Sequence, residues 1–388
     1  MADLRILAVV LLVLAALLRS ELFFYLLYLV VGLQLAAWFW LSRVSRQLSL
    51  TRAVPPAAFP NEAVEVTLVV RNNGALPIPW LALHESIPPA LRTPPAIRRV
   101  VALAPRQELV IRYLVQSRRR GLYRLGPLNL RSGDVFGMRD LTLGGAESQP
   151  LTIYPQILPL PTLGLPAGLP FGIEADPYSL FIDPARPIGT RTYMPGDGLS
   201  QIDWKSSAHA GSLRVRRYEP AIARTTLIAL AFSRNEYPGR FVFDNQERAI
   251  VTAASIAADL VARRQAVGLC VSGIDPLSDA VGNAIMPGNG RSHLIALLSL
   301  LGRLESAAAG DIAAELERHV AHLGWGTTVV LITSDLDMPL LARLLPLRRF
   351  GIKPTLVLID AGEDAIGRAR RHGIAVYLID RAGLPQPT

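Results

Sequence analysis

The chain has 388 residues, a formal net charge of +9, 51% hydrophobic residues, 30 prolines and 30 glycines. That length predicts about two folded domains beyond any membrane segment, and so much proline and glycine argues against a polytopic helical transporter. The single cysteine, Cys270, excludes an intramolecular disulfide and fits a reducing compartment.

Residues 6–18 are an unbroken apolar run, and residues 22–41 are a second, interrupted by Gln34. About 20 apolar residues cross a bilayer. The second run therefore spans alone, and the first spans if Leu4, Arg5 and Arg19 are drawn in by snorkelling. A transmembrane helical hairpin over residues 1–45 is expected. The rival reading, a cleaved signal peptide, lacks a small-x-small cleavage site. Arg43, Arg46 and Arg52 follow the second span, whereas the turn carries Arg19 beside Glu21. The positive-inside rule then places both chain ends and the body in the cytoplasm, on a bacterial or archaeal inner membrane. Residues 1–150 hold 17 Arg and no Lys against nine acids, while residues 151–388 hold 23 basic and 22 acidic residues. The basic half adjoins the membrane and suits an anionic leaflet. Arg118, Arg119, Arg120 and Arg124 form one short cluster with no groove-reading motif, which argues against nucleic acid.

From residue 53 to 147 the pattern is short strands and turns. Residues 63–71 alternate, Asn72, Asn73 and Gly74 make a turn, and residues 80–84, 109–115 and 122–130 continue the series. The spacing predicts an immunoglobulin-like antiparallel β-sandwich. Residues 150–192, rich in Pro, Gly and Leu, read as an extended linker packed in part through its leucines.

Beyond it strands and helices alternate. Strands are expected at 226–232, 266–272, 327–333, 354–359 and 375–379, and helices at 245–264, 292–304, 312–323, 340–350 and 363–372. The fold class is therefore all-β plus α/β: the hairpin, the sandwich, then a Rossmann-like parallel sheet covered on both faces, within residues 193–388. Ligands in such sheets collect at the carboxyl ends of the strands, here Ser233, Ser272, Ser334 and Asp335.

No Walker loop, HExxH or GxSxG nucleophile elbow occurs. His319 and His322 lie one helical turn apart, but Glu315 and Glu317 beside them point to a solvated face rather than a metal site. The densest set of functional residue types is YMPGDGLSQIDWKSSAHAGSLRVRRYE, residues 193–219. Gly196 after Pro195 marks a turn, Asp197 and Asp203 are carboxylates near it, and Trp204 beside Lys205 can stack, bury or pair. On physical grounds alone the stretch reads as a structural turn that ties the linker to the sheet, with a buried Asp–Lys or Asp–Arg pair.

The stretch resembles the signature of the domain-of-unknown-function 58 family. The matching positions are Tyr193, Pro195, Gly196, Asp197, Ile202, Asp203, Trp204, Lys205, Ala208, Gly211, Leu213, Tyr218 and Glu219. His209 departs from the family's usual Arg. A second segment, RRRGLYRLGPLNLRSGDVFGM, is similar to that family's Asp-x-Phe-Gly region through Asp134, Phe136 and Gly137.

The resemblance implies a von Willebrand factor A-like domain, often with Mg²⁺ held by an Asp-x-Ser-x-Ser loop. Here the loop positions are Ala231, Ser233 and Asn235, and Asp335 stands for a later carboxylate or caps the next helix. With the first Asp missing, the metal site is expected to be lost, and no cofactor is expected. The resemblance also implies a MoxR-type AAA+ ATPase as partner and a transglutaminase-like membrane protein as an associate. The expected function is that of a membrane-anchored, non-enzymatic adaptor in an envelope-related or complex-maturation process. The alternatives are a hydrolase-like enzyme using Asp197, Asp203 and Lys205, and a binding protein for anionic lipid or an envelope precursor.

Overall fold

The computed structural model describes residues 2–18, 21–91, 96–133, 140–166, 182–194, 198, 202–220, 225–237, 240–324 and 326–379. The chain forms two compact units, Met1–Pro155 and Gln156–Thr388.

The first unit opens with α1 (Ala2–Leu18) and α2 (Glu21–Gln47), which pack together. Helix α2 is long and apolar enough to cross a membrane, while the apolar stretch of α1, Ala8–Leu17, is shorter. It continues without a break into β1 (Leu48–Ala53), and Leu41 and Val44 near its end are buried.

The strands β2 (Ala57–Ala58), β3 (Val64–Asn72), β4 (Ile78–Ser86), β5 (Ala96–Leu103), β6 (Glu108–Val115), β7 (Gly121–Leu125), β8 (Leu128–Gly133), β9 (Asp140–Ala146) and β10 (Gln149–Ile153) follow. They assemble as three sheets, ordered β1-β3-β6, β2-β10-β7 and β5-β4-β8-β9. Strand β3 buries every second residue, Val64, Val66, Leu68 and Val70, because its β-branched and aliphatic residues alternate with polar ones. Leu68, Val70 and Ile111 meet Ile78, Leu81, Leu103 and Leu128 of the four-stranded sheet in one core. Each such aliphatic side chain contributes roughly 1.5–3 kcal/mol on burial. The unit is thus sandwich-like.

Three expectations change here. The sandwich runs from β1 to β10, wider than residues 53–147 on both sides. The stretch 122–130 is two strands in different sheets, parted at Gly126 and Pro127. Gly126 has φ +102°, and a Cβ there would lie 2.7 Å from Nη2 of Arg52. Third, Arg52 is not a charge facing the membrane surface. Its guanidinium is fully buried, with Nη2 2.9 Å from Glu85, and Nη1 donates to the carbonyls of Leu125 and Glu147. The Tyr113 hydroxyl donates to the same carboxylate at 3.2 Å. Burial first, and then the Glu85 charge, push the Tyr113 pKa upward.

In the second unit, Leu160–Leu163 form a 3-10 turn with Leu160, Leu163 and Leu165 buried, and the Leu158 amide donates to Ser255 Oγ at 2.9 Å. Then come β11 (Ile182–Thr192), α3 (Trp204–Ala210), β12 (Arg214–Pro220), β13 (Thr225–Leu230), α4 (Val242–Ala262), β14 (Ala266–Asp275), β15 (Ala280–Gly288), α5 (Arg291–Arg303) and α6 (Ile312–Val320). The chain finishes through β16 (Thr328–Thr333), α7 (Met338–Leu344), β17 (Lys353–Ile359), α8 (Glu363–Arg371) and β18 (Ala375–Ile379). The expected linker is therefore structured at both ends, in β10 and β11, and its leucines are in part core.

The main sheet has the order β15-β14-β13-β16-β17-β18, with only β15 antiparallel. Strand β16 is buried along its whole length and β13 at all but its first residue, as the continuous runs TVVLIT and TTLIAL require of strands covered on both faces. Helix α4 covers β13, β14, β16 and β17, while α6 lies on β13, β14 and β15. The edge strand β15 escapes sequence reading because AVGNAIMPG has two glycines and a proline and little β-branching.

Candidate functional site

Two polar clusters merit chemical inspection. The first lies where ligands are expected, past the carboxyl ends of β13, β14 and β16. Ser233 leaves β13 and opens a 3-10 turn, Arg234–Glu236, that swings Glu236 back over the strand end. Its Oε2 accepts from the Ser233 amide at 2.9 Å, from Ser233 Oγ at 2.5 Å and from Ser272 Oγ at 2.6 Å. Its Oε1 accepts from the Ile312 amide at 2.9 Å, in the first turn of α6. Ser272 Oγ in turn accepts from the Phe232 amide, and Ser334 Oγ donates to the Glu236 carbonyl. Gln246 from α4 donates to the Ser233 carbonyl and to Ser306.

Ser233, Ser272 and Ser334 are thus brought together around Glu236 of the chain itself, the first two on its carboxylate and Ser334 on its backbone carbonyl, although Ser272 lies within β14 rather than at its end. Ala231 is buried within the strand extension, and Asn235 donates to the Gly310 carbonyl at 3.2 Å. Asp335 does not cap the next helix. Its Oδ1 accepts from the Leu336 amide and from Arg368, while Asp337 caps α7 by accepting from Leu340. Among the described residues no group of three or more His, Cys, Asp or Glu side chains is arranged to hold a metal ion. Sequence reasoning missed Glu236 and Gln246. The available signal was an acid three residues after a strand-ending serine, the spacing of a capping box.

Behind this cluster, α6 departs from the expected solvated face. Glu315 is buried and ion-paired with Arg318, and His319 Nδ1 sits 2.8 Å from the Glu315 carbonyl. Burial first, and then the Glu315 charge, push the nearby Cys270 thiol up to about 12.

The second cluster is the signature itself. Strands β11 and β12 pair antiparallel, with Thr192 opposite Arg214 and Thr190 opposite Arg216. The Tyr193 amide extends the pairing to the Leu213 carbonyl at 2.9 Å, and Ile202 bridges to Val215, both buried. Asp203 caps α3, accepting from the Ser206 amide at 3.0 Å, and its own amide donates to the Arg214 carbonyl at 2.8 Å. Ser207 Oγ donates to the Asp203 carbonyl at 2.7 Å and accepts from the Arg214 amide at 2.8 Å. Gly211 ends the helix at φ +64°, the left-handed conformation that glycine takes at least cost. The Ser206 amide bond, seconded by Arg216 at 3.3 Å, holds the Asp203 carboxyl below the usual carboxylate range.

Among its described residues the signature has its own two-stranded sheet and a capped helix, and the ion pair they form is not a buried one. Asp203 pairs with Arg216, which is half exposed, and not with Lys205. Trp204 is 67% exposed, Met194 65% and Leu213 45%. Lys205, Ala208 and His209 are also exposed on α3. Tyr218 and Glu219 lie on β12, Tyr218 opposite Pro187. Pro195, Gly196 and Asp197, like Asp134, Phe136 and Gly137, lie outside the described residues.

Residues 189–370 match the family described as protein of unknown function DUF58. The chain is 22% identical over 235 residues to the uncharacterized protein YeaD of Bacillus subtilis (strain 168), covering 60% of this chain and 56% of that one. It therefore spans little more than half the length of that curated relative. Among solved structures it is similar to the CARDB domain of PF1109 from Pyrococcus furiosus, solved with di-metal ions, at 19% identity and TM-score 0.22. That match covers 27% of this chain and 91% of the domain. A β-glucosidase from Listeria innocua matches at 10% identity and TM-score 0.19, over 27% of this chain and 16% of the enzyme. At such TM-scores neither bears on function.

Proposed function

The chain belongs to the DUF58 family through residues 189–370, and from that premise we propose that it is a membrane-anchored, non-enzymatic adaptor that captures a partner protein through α3. The observation that carries this reading is the exposure of Trp204 on a helix fixed by three independent restraints: the Asp203 cap, the Ser207 bonds and the Gly211 stop. A large aromatic side chain left in water on a rigid mount is the pattern of an interface anchor. The hydrolase alternative is weaker, because Asp203 is committed to a helix cap and to Arg216, away from Lys205.

We read the partner as an AAA+ ATPase of MoxR type and the process as envelope-related or complex maturation. The α/β unit is then a von Willebrand factor A-type domain whose cation loop has been taken over by Glu236. The replacement of an Asp by Ala231 and the four donors on the Glu236 carboxylate support that reading. In the same reading α1 and α2 form a two-span hairpin with the body in the cytoplasm, supported by Arg43 and Arg46 near the carboxyl end of α2.

The experiment is affinity isolation of the full-length protein from its native membrane, with and without ATP, beside a Trp204→Ala variant of unchanged melting temperature. The expected result is an AAA+ ATPase with the parent protein and its loss with the variant. If the ATPase is equally abundant with both, α3 is not the docking element. If none is captured even after crosslinking, the adaptor reading fails.

A further inference from the structure

Toward the opposite end of the main sheet, the amino ends of β17 and β18, three elements carry four arginines, one lysine and one phenylalanine, all exposed. Helix α7 runs into a 3-10 turn, Leu345–Phe350, which stops at Gly351 with φ +73°. Arg348 in that turn donates from Nη1 to the His372 carbonyl at 3.0 Å and from Nη2 to the Gly373 carbonyl at 2.6 Å. These bonds fasten the turn that carries Arg349 and Phe350 to the residues just after α8, whose last turn carries Arg370 and Arg371, the latter donating from Nε to the Gly367 carbonyl at 3.2 Å. Lys353 opens β17 three residues after Phe350. All are exposed, and Phe350 is 63% exposed.

The acids of this half of the sheet lie elsewhere: Asp335, Asp337, Asp360, Glu363 and Asp364 all follow the carboxyl ends of β16 and β17. The lobe is therefore electrically polarised from one end to the other. A bland cause explains part of the pattern, since cations in the last turn of α8 complement its dipole. It accounts for Arg370 and Arg371. The same argument covers Arg349 in the last turn of the 3-10 segment, but it does not account for an exposed phenylalanine among the cations.

We infer that this patch docks on the anionic headgroups of a phospholipid bilayer, with the arginines on the phosphates and Phe350 in the interface. Guanidinium groups bind phosphate through paired N–H donors, and an aromatic ring at headgroup depth is the usual companion of interfacial cations. A single-stranded nucleic acid would call for a row of stacking aromatics, and Phe350 stands alone among the patch residues. The membrane-length helix α2 supplies the second argument. A chain fixed to a bilayer holds its other basic surfaces at high effective concentration near lipid, so a patch of modest intrinsic affinity is enough. The inference does not depend on α3 having a protein partner.

The test keeps the protein whole. Full-length chain carrying p-benzoyl-phenylalanine in place of Phe350 is placed in nanodiscs of phosphatidylcholine, with or without phosphatidylglycerol, and irradiated. The expected product is a protein–phospholipid adduct that forms in the anionic discs. It should fall on the order of a hundredfold in zwitterionic discs, or in the Arg349→Glu, Arg370→Glu, Arg371→Glu variant, since each of the three basic residues near the surface adds about 1 kcal/mol. Raising the salt to about 1 M, where the Debye length shrinks to about 3 Å, should lower the parent's adduct in the same way and needs no variant to fold. Absence of a lipid adduct in anionic discs overturns the inference, as does an equal adduct in both lipid compositions. An adduct to protein or nucleic acid in native membranes overturns it too.

Discussion

At the carboxyl end of the main sheet, Glu236 gathers two serine hydroxyls and two backbone amides onto one carboxylate. In the signature, Asp203 also takes a helix amide and a side-chain donor, but Trp204 and Lys205 next to it face water. Both clusters sit at strand ends and both are built from an acid beside serines. In the first, the polar groups around Glu236 bond one another, which stabilises the fold. In the second, the polar groups hold up a helix whose apolar and cationic residues remain available. A strand-end position is thus a guide to where a site can be built, and hydrogen-bond accounting decides whether one was.

The contrast can be broken most directly at Glu236. Replacing it with alanine leaves four donors without their acceptor and should cost about 3 kcal/mol, read as a shifted urea midpoint at unchanged slope. A loss below about 1 kcal/mol would mean that the cluster is not structural and is free to serve a ligand. Ser272→Ala removes one donor and should cost about 1–2 kcal/mol by the same measurement. A smaller effect is expected from acid on α3. Because the Asp203 carboxyl titrates below its unfolded value of about 3.9, its stabilisation is complete above that pH and is lost as pH falls through the lower folded value. The protection factor of the Ser206 amide, its exchange rate set against the intrinsic rate at each pH, should therefore fall below about pH 4 in the parent, and Asp203→Asn should flatten that dependence. Trp204→Ala should change stability by no more than about 0.5 kcal/mol while abolishing partner capture, which separates presentation from folding. Least of all should happen at Cys270. With its thiol pushed up to about 12, it should resist maleimide at neutral pH in the native protein and react fully once denaturant is added, as mass spectrometry would record.

Much of this architecture was legible from periodicity. Alternation in residues 63–71 marked β3, and the run TTVVLIT marked β16, because burial on one face or two leaves a direct imprint on residue choice. The reading failed where the imprint is weak. Strand β15 is an edge strand of small residues, and β11, with Pro184 and Pro187 in its range, looks like a linker. Arg52 looked like a membrane-flanking charge because nothing local announces Glu85, 33 residues on, as its buried partner. At the candidate site the strand-end serines were foreseen and the Asp203–Trp204 motif was singled out. What could not be read was direction: Glu236 turned inward over β13 and Trp204 turned outward from α3, both decided by tertiary hydrogen bonds.

The join between α2 and β1 has a mechanical consequence. Gln47 ends the helix and Leu48 begins the strand with no residue between them, and Trp40 and Val44 already belong to the sandwich core. The helix therefore acts as a shaft rather than a leash. Inserting a single residue above Trp40 would raise that shaft by about 1.5 Å and turn it by about 100°, and the sandwich would have to follow. Any tilt imposed on α2 is delivered to the sandwich as a change of heading.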